Sequence, residues 1–396
     1  MIWQQHKSSH GARRGAVSVL AALLIVLMFG FVAFAVDLGY LAVVQTELQR
    51  SADAAALAGG YELFADGSLS GNSDMTGAVA NARTQVALYA ASNPVGGKQP
   101  SVDNTNGGDV TIGYLSNPMD PNCVLDTSAA HFNQSNAVQV RVRRTSAMNG
   151  NVSFFFGQLL GMGSVGTQSQ ATAAVINNFS GFQSPGGMGN LMILPYALDQ
   201  QTWNDLLAGG GTDNYAYQAA GGGHCGASSA GTVSSGSDGI KEVNLFPQGT
   251  GSPGNRGTVD IGSNNNSTAT LARQILNGIT PGDLAPYGGQ LKFDSNGNLY
   301  LNGDTGISAG VKDELTSIIG QPRIIPIFKS VTGPGNNATY QIVAFAGVRI
   351  LDVRLTGSMD SKMLMVQPCK VTTNGAIPSA GPTTSYYVVS PTWLVR

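Results

Sequence analysis

Four histidines and three cysteines are the scarce groups with which this 396-residue chain could do nucleophilic or metal chemistry. His6 and His10 precede a long apolar run, which leaves His131 and His224 for an active site in the body. His224 and Cys225 stand adjacent in GGGHCGASS. A Cys–His nucleophile pair needs contact in space and an orienting third group, which adjacency does not supply, so a flexible loop is the better reading. Cys123, Cys225 and Cys369 lie far apart, without C-x-x-C metal spacing. One pair could bridge in an oxidising compartment, and free buried thiols fit equally well. Asp294-Ser295-Asn296-Gly297-Asn298 superficially has the look of a calcium loop. An EF-hand needs glycine sixth and an acidic twelfth ligand, whereas glycine is fourth here. The segment QLKFDSNGNLYLN instead predicts a β-hairpin turning at Asn296-Gly297. Gly209-Gly210-Gly211 and Gly221-Gly222-Gly223 lack the lysine and following helix of a phosphate loop. No paired carboxylates stand out. No catalytic, cofactor-binding or metal residue is therefore assigned, and no cofactor is expected.

Composition narrows the class further. Charged residues make up 11% of the chain, against about 25% in ordinary soluble domains. With a net charge of −2 and no Lys/Arg-rich stripe, nucleic acid is excluded as a partner. The 53 glycines and 17 prolines are less than a fifth of the residues, below the roughly 25–30% that marks low-complexity sequence. Loop-rich folded domains are expected, about two of them at this length.

The elements that must position any site begin at a membrane. From Gly15 to Val36 there is no charge, and the run AVSVLAALLIVLMFGFVAFAV is long enough to cross a hydrocarbon layer of about 30 Å as a helix. Lys7, Arg13 and Arg14 precede it, and over a comparable length afterwards only Arg50 is basic. The positive-inside rule then puts the N-terminus in the cytoplasm and the body outside. The alternative is a cleaved signal peptide, with Ala33-Phe34-Ala35 as the cleavage site. The apolar run exceeds the about 7–15 residues of a signal core, and the helical pattern continues past the cut. An uncleaved anchor bounded by Gly15 and Val36 is the reading taken.

Past the anchor, DLGYLAVVQTELQRSADAAALAGGYELF has no proline. Leu38, Leu41, Gln45, Leu48, Ala52, Ala55 and Gly59 recur at spacings of three and four and trace a seam along one helical face, with Glu47, Arg50 and Asp53 opposite. Residues 16–63 as one helix would extend roughly 70 Å. The small residues permit close backbone approach, which suits either a stalk packing on other subunits through Ala52, Ala55, Ala56 and Gly59 or a seam packing on the chain's own next domain. Gly59 and Gly60 signal tight packing or the helix end.

The run RRGAVSVLAALLIVLMFGFVAFAVDLGYLAVVQTELQRSADAAALAGG resembles the N-terminal region of TadE/TadG-like proteins of the Tad (Flp) pilus-assembly system. The likeness rests on the basic pair before a small-residue start, on Ala35-Val36-Asp37-Leu38-Gly39 closing the apolar helix, and on Leu48-Gln49 leading into Ser51-Ala52-Asp53-Ala54-Ala55-Ala56-Leu57-Ala58-Gly59. It covers residues 13–60 and extends weakly to about 176 through an aromatic helix and an Ala-rich strand. TadE-like pseudopilins carry a glutamate five residues after the glycine cut by prepilin peptidase; here Leu20 follows Gly15 at that offset, which favours the uncleaved, TadG-like branch. Many TadG-like proteins also carry a D-x-S-x-S metal motif. The nearest segment, Asp352-Val353-Arg354-Leu355-Thr356, has arginine and threonine at the serine positions, so no metal site is carried over. The resemblance implies a structural or interaction component of a pilus-assembly or secretion machine in the bacterial inner membrane. Its partners would be the lipid bilayer and other pilus-assembly or secretion proteins, or further copies of itself. The competing readings are a membrane-anchored enzyme acting on envelope polymer and a ligand-binding module using the Gly-rich loops.

The remaining pattern is α+β. Helices are expected at 74–92, 152–161, 200–208, 268–279 and 312–320, and strands at 110–115, 137–144, 170–177 and in RIIPIF, TYQIVAFAGVRILDVRLTG, MLMVQPCKV and SYYVVSPTWLV. The run from Tyr340 to Leu355 reads as a central strand buried on both faces. A long N-terminal helix before a small sheet is similar to the pilin-like plan, by analogy. The organisation read is a basic N-terminus (1–14), a transmembrane helix (15–36), a stalk helix (37–64), a small pilin-like α+β domain (65–178), a linker (179–190) and a second, strand-rich α+β domain (191–396).

Overall fold

The computed structural model describes residues 14–64, 75–184, 189–218, 231–245, 257–262, 267–303, 309–358, 361–379 and 385–395. One helix, α1 (Arg14–Leu63), runs unbroken for 50 residues, about 75 Å at 1.5 Å per residue. It passes through Gly59-Gly60 without ending there. The remaining helices used below are α2 (Thr76–Ala91), α3 (Gln200–Leu207), α4 (Thr268–Asn277) and α5 (Lys312–Ser317). The first strands are β1 (Val110–Gly113), β2 (Ala137–Arg144), β3 (Thr167–Ala174), β4 (Phe179–Gln183) and β5 (Leu198–Asp199). They are followed by β6 (Val243–Asn244), β7 (Gln290–Lys292), β8 (Leu299–Asn302), β9 (Pro322–Thr332) and β10 (Thr339–Arg354). The last are β11 (Met363–Pro368), β12 (Ala376–Pro378), β13 (Ser385–Tyr386) and β14 (Trp393–Leu394). The chain is α+β, with a strand-rich C-terminal part.

Two compact units form, one from residues 1–55, 86–110 and 140–171, the other from residues 56–85, 111–139 and 172–396. The divisions fall inside α1, α2, β1–β2 and β3 rather than in a linker. A four-stranded sheet has the order β1-β2-β3-β14. Its last strand arrives from the far end of the chain, with Trp393 opposite Ala174 and Leu394 opposite Ala173. The alanines of β3 leave room for this, since Ala171, Ala173 and Ala174 are at most 1% exposed.

In the second unit a seven-stranded sheet runs β6-β11-β10-β9-β5, with β8 and β13 also pairing with β10. Residues 344–351 of β10 are all buried, as a strand covered on both faces requires. On one side lie Trp203 and Leu206 of α3, Leu271 and Ile275 of α4, and Leu315 of α5. On the other, Phe179, Phe182, Phe345 and Tyr340 form an aromatic-rich core. The helices start where capping chemistry allows: the Asp199 side chain accepts from the Thr202 amide and the Ser267 side chain from the Thr270 amide.

Three local expectations are corrected. The two arms of the expected hairpin diverge: β7 pairs with β4, and β8 pairs with β10. The turn between them is real, with the Asp294 amide donating to the Asn298 carbonyl at 2.7 Å and Gly297 at φ +77°. In the segment read as linker, residues 179–183 form β4, because Phe179 and Phe182 supply two buried anchors. Finally, 152–161 is not a helix. Val152–Ser153 pairs with Ser164–Val165, and only Gly157–Leu160 makes a 3-10 turn.

Candidate functional site at the end of the apolar span

In α1 the large apolar side chains from Val17 to Val36 are 44–74% exposed. This is the one described helix long and apolar enough to cross a membrane. At the next residue the environment reverses. Asp37 is only 6% exposed, and its carboxylate accepts three successive backbone amides. Phe155 donates at 2.7 Å, Phe156 at 3.1 Å and Gly157 at 2.7 Å. Consecutive amides converging on an anion form a nest, and such charge-assisted bonds are what make a buried carboxylate tolerable. They also explain the missing helix at 152–161: a carboxylate fixed by α1 takes the amides and bends the chain around itself. Position 157 must be glycine, because a Cβ there would meet the Met162 carbonyl oxygen at 2.5 Å.

The same face of α1 is held at further points within the first unit. Tyr40 packs edge-on against Phe155, with ring centroids 5.1 Å apart. Glu47 accepts the Gly96 amide at 2.6 Å, and the Ser51 hydroxyl donates to the Ala90 carbonyl at 3.3 Å. Gly96 sits at φ +56°, where a Cβ would meet the Tyr40 hydroxyl at 3.1 Å and the Arg144 guanidinium at 3.0 Å. Arg144 is 4% exposed and donates to the carbonyls of Val95, Gly150 and Asn151. Asp109 accepts from Arg141 at 3.0 Å and Arg143 at 2.8 Å.

The packed face differs from the expected seam. Leu38 and Gln45 are exposed, whereas Asp37, Val44, Leu48 and Ser51 are buried, and Glu47 lies on the packed face rather than opposite it. Hydrophobic spacing missed this because hydrogen bonds bury Asp37 and Ser51. Of the anchor limits, Gly15 lies in the first turn of α1, and Val36 is 44% exposed immediately before the clamp. Ala52, Ala55 and Ala56 are fully buried, and Gly59 is buried as well. The residues expected to meet partners are thus covered by the chain itself, which the alternative reading of the seam accommodates. Next to them, within the second unit, a Cβ on Gly60 would lie 2.8 Å from the Thr392 methyl group. Close backbone approach is therefore used, and it serves the segment leading into β14.

The groups first singled out for chemistry lie elsewhere. His131 pairs with Asp126 at 2.7 Å and stacks on Tyr114. The Ser128 amide and hydroxyl, then His131, hold the Asp126 carboxyl below its ordinary value. The Cys123 sulfur lies 3.4 Å from the Ser116 hydroxyl, and Cys369 is buried. His6, His10, His224, Cys225 and Gly221–Gly223 lie outside the described residues. Asp294 accepts the amides of Asn296 and Asn298 in its own turn. Asp352 on β10 accepts the Tyr215 hydroxyl at 2.9 Å; burial and this bond push the phenol up to about 12. Among the described residues no three His, Cys, Asp or Glu side chains converge to hold a metal ion. One cleft of the second unit, at Tyr114, Asn136 and Asn178, holds about 120 Å³. Another, at Asn190, Met192 and Thr373, holds about 110 Å³. Small-molecule sites usually begin near ~300 Å³.

Comparison with known families bears on the first two-fifths of the chain. Residues 15–65 match the family described as Flp pilus-assembly TadE/G-like, and residues 66–173 match the one described as Tad-like Flp pilus-assembly. The N-terminal region, residues 15–173, is similar to Tad pilus-assembly proteins. The Tad-type region thus contains the span, the Asp37 clamp and α2, and it closes one residue before the end of β3. No curated protein matches the chain, and no solved structure does.

Proposed function

We propose that this chain is a membrane-anchored structural component of a Tad (Flp)-type pilus-assembly or secretion machine, not an enzyme. The observation that carries the reading is the unbroken Tad-type match from residue 15 to residue 173. In this reading residues 15–36 span the bacterial inner membrane, the N-terminus is cytoplasmic, and the body stands in the periplasm. Asp37, Tyr40, Glu47 and Ser51 fasten the helix to the body over four turns, so the span holds the body at a set orientation instead of tethering it loosely. Partners are the bilayer and other assembly or secretion proteins, or a second copy. With Ala52, Ala55, Ala56 and Gly59 already covered, the proposed contact positions on the stalk are the exposed Leu38 and Val43.

Two measurements test this. A reporter active only outside the cytoplasm, fused after Arg396, should be active; a stable but inactive fusion contradicts the orientation. A photo-cross-linking residue at Val43, activated in native membranes, should give adducts identified by mass as pilus-assembly or secretion proteins or as a second copy. Adducts with lipid alone would contradict the assembly role of the stalk.

A further inference from the structure

The loop that wraps the Asp37 carboxylate presents an apolar surface that the fold leaves uncovered. Leu159 is 85% exposed, Phe155 64%, Met162 58% and Phe156 41%. From Thr145 to Leu198 the sequence carries no charged residue. A cluster of this kind in water marks a contact site. Its position identifies the occupant. The loop amides are bonded to Asp37, the first charged residue after the 22 uncharged residues 15–36. That span is about 33 Å long at 1.5 Å per residue, against about 30 Å of hydrocarbon, so Asp37 lies at the outer boundary of the bilayer. The loop backbone is held at that same level by these amide bonds, at the end of the exposed apolar surface of the span.

The loop is also chemically suited to leaving water. The amides of Phe155, Phe156 and Gly157 are taken by Asp37. Phe154 donates to the Gly163 carbonyl, Leu159 to Phe156, Gly161 to Gln158 and Met162 to Gly157, at 2.9–3.2 Å. Backbone donors satisfied in this way do not oppose transfer into an interface poor in water. Phe and Leu are among the side chains that interfacial segments bury about 5–10 Å into the boundary between headgroups and acyl chains. Resting on the anchor reading above, we infer that residues 154–163 form a second lipid-contacting element, a loop that dips Phe155, Phe156, Leu159 and Met162 into the outer interface of the bilayer beside the span.

The test uses the full chain in phosphatidylethanolamine–phosphatidylglycerol vesicles, with Cys123, Cys225 and Cys369 replaced by serine. Single nitroxide labels are placed through Leu159→Cys, Leu24→Cys in the span and Leu88→Cys, an exposed site on α2 in the same unit. The label at 159 should collide several-fold more with oxygen than with a water-soluble nickel complex, like the label at 24 and opposite to that at 88. If 24 reads as lipid while 159 matches 88, the loop lies in water and the inference is overturned with the anchor intact. Shielding of 159 from both reagents would mean a protein contact and also overturns it. A water-like reading at 24 would sink the anchor and the loop together. Quenching of a Leu159→Trp variant by brominated phospholipid, with all cysteines in place, gives the same answer should the serine background misfold: strong quenching supports the inference, and none contradicts it.

Discussion

The two halves of α1 obey opposite rules along one continuous helix. Up to Val36 every large apolar side chain faces outward, while from Asp37 onward the inward face mixes polar and small residues, Asp37, Ser51, Ala52 and Ala55, with the large apolar Val44 and Leu48. In the first half hydrophobicity measures what the surroundings must be. In the second it is a poor guide, because a carboxylate given three amides, a serine given a carbonyl and glycine or alanine given a close neighbour can all be buried. The exposed apolar surface of the helix gives way to a packed face at one residue, Asp37.

The contrast can be broken most forcefully in the second half. Gly60→Leu places a side chain where even a Cβ lies 2.8 Å from the Thr392 methyl. Overpacking costs about 1–3 kcal/mol, more where backbone must shift. Limited proteolysis should show the segment carrying β14 released from Ala173 and Ala174. Ala55→Leu, at a fully buried position, should lower protease resistance of the body similarly. Leu24→Ala, 51% exposed in the span, should leave the body unchanged.

A second aspartate sharpens the comparison, because it is held by an ion pair rather than by amides alone. Asp283 accepts both guanidinium nitrogens of Arg273, at 2.6 and 3.0 Å, and closes a capping box with Thr280. Burial alone would raise its carboxyl; Arg273 and then Thr280 outweigh burial and hold it below the ordinary value. A depressed folded value means the pair stabilises fully above about pH 4, where the unfolded carboxyl is ionised, and loses its contribution as pH falls through the folded value. Arg273→Ala should cost about 1 kcal/mol at pH 7, since the arginine is partly exposed. The difference should vanish in strong acid, as read from chemical unfolding followed by fluorescence of the buried Trp203. The smallest effect belongs to the outer face of the stalk. Val43→Ala, 54% exposed, should change stability by less than about 0.5 kcal/mol while altering cross-linking to partners.

Much of this was legible in residue patterns. The uncharged run and the absence of proline indicated α1, and period-two valines indicated β2. The apolar run Tyr340–Leu355 indicated the central strand, because apolar periodicity follows backbone geometry. The Tad-type likeness was legible in the polar punctuation at fixed offsets, and the matched region is the one it covers. The packed face of the stalk was not legible, since Asp37 reads as a polar outward position unless the amides that donate to it are known. Nor was the fate of VSFFFGQLLG: its helical spacing is genuine, but Asp37, more than a hundred positions away, takes the amides at its start. The lone aspartate directly after an apolar span and the glycine directly after Phe154-Phe155-Phe156 are the signals that could have joined them. The divergence of β7 and β8 was hidden similarly, because Asn-Gly specifies a turn but not which strands its arms will pair with.

The central claim is that Asp37 couples the apolar span to the body by holding residues 155–157. Hydrogen exchange of the Phe155, Phe156 and Gly157 amides in the full chain, native and Asp37→Ala, tests it most directly. Losing the acceptor of buried amides costs about 1–3 kcal/mol each, and about 1.4 kcal/mol is a factor of ten in an equilibrium. The three amides should exchange slowly in the native chain and at least about tenfold faster in the variant, while the Val395 amide bonded to Thr172 in the second unit keeps its rate. Equal protection of residues 155–157 in both chains would contradict this coupling.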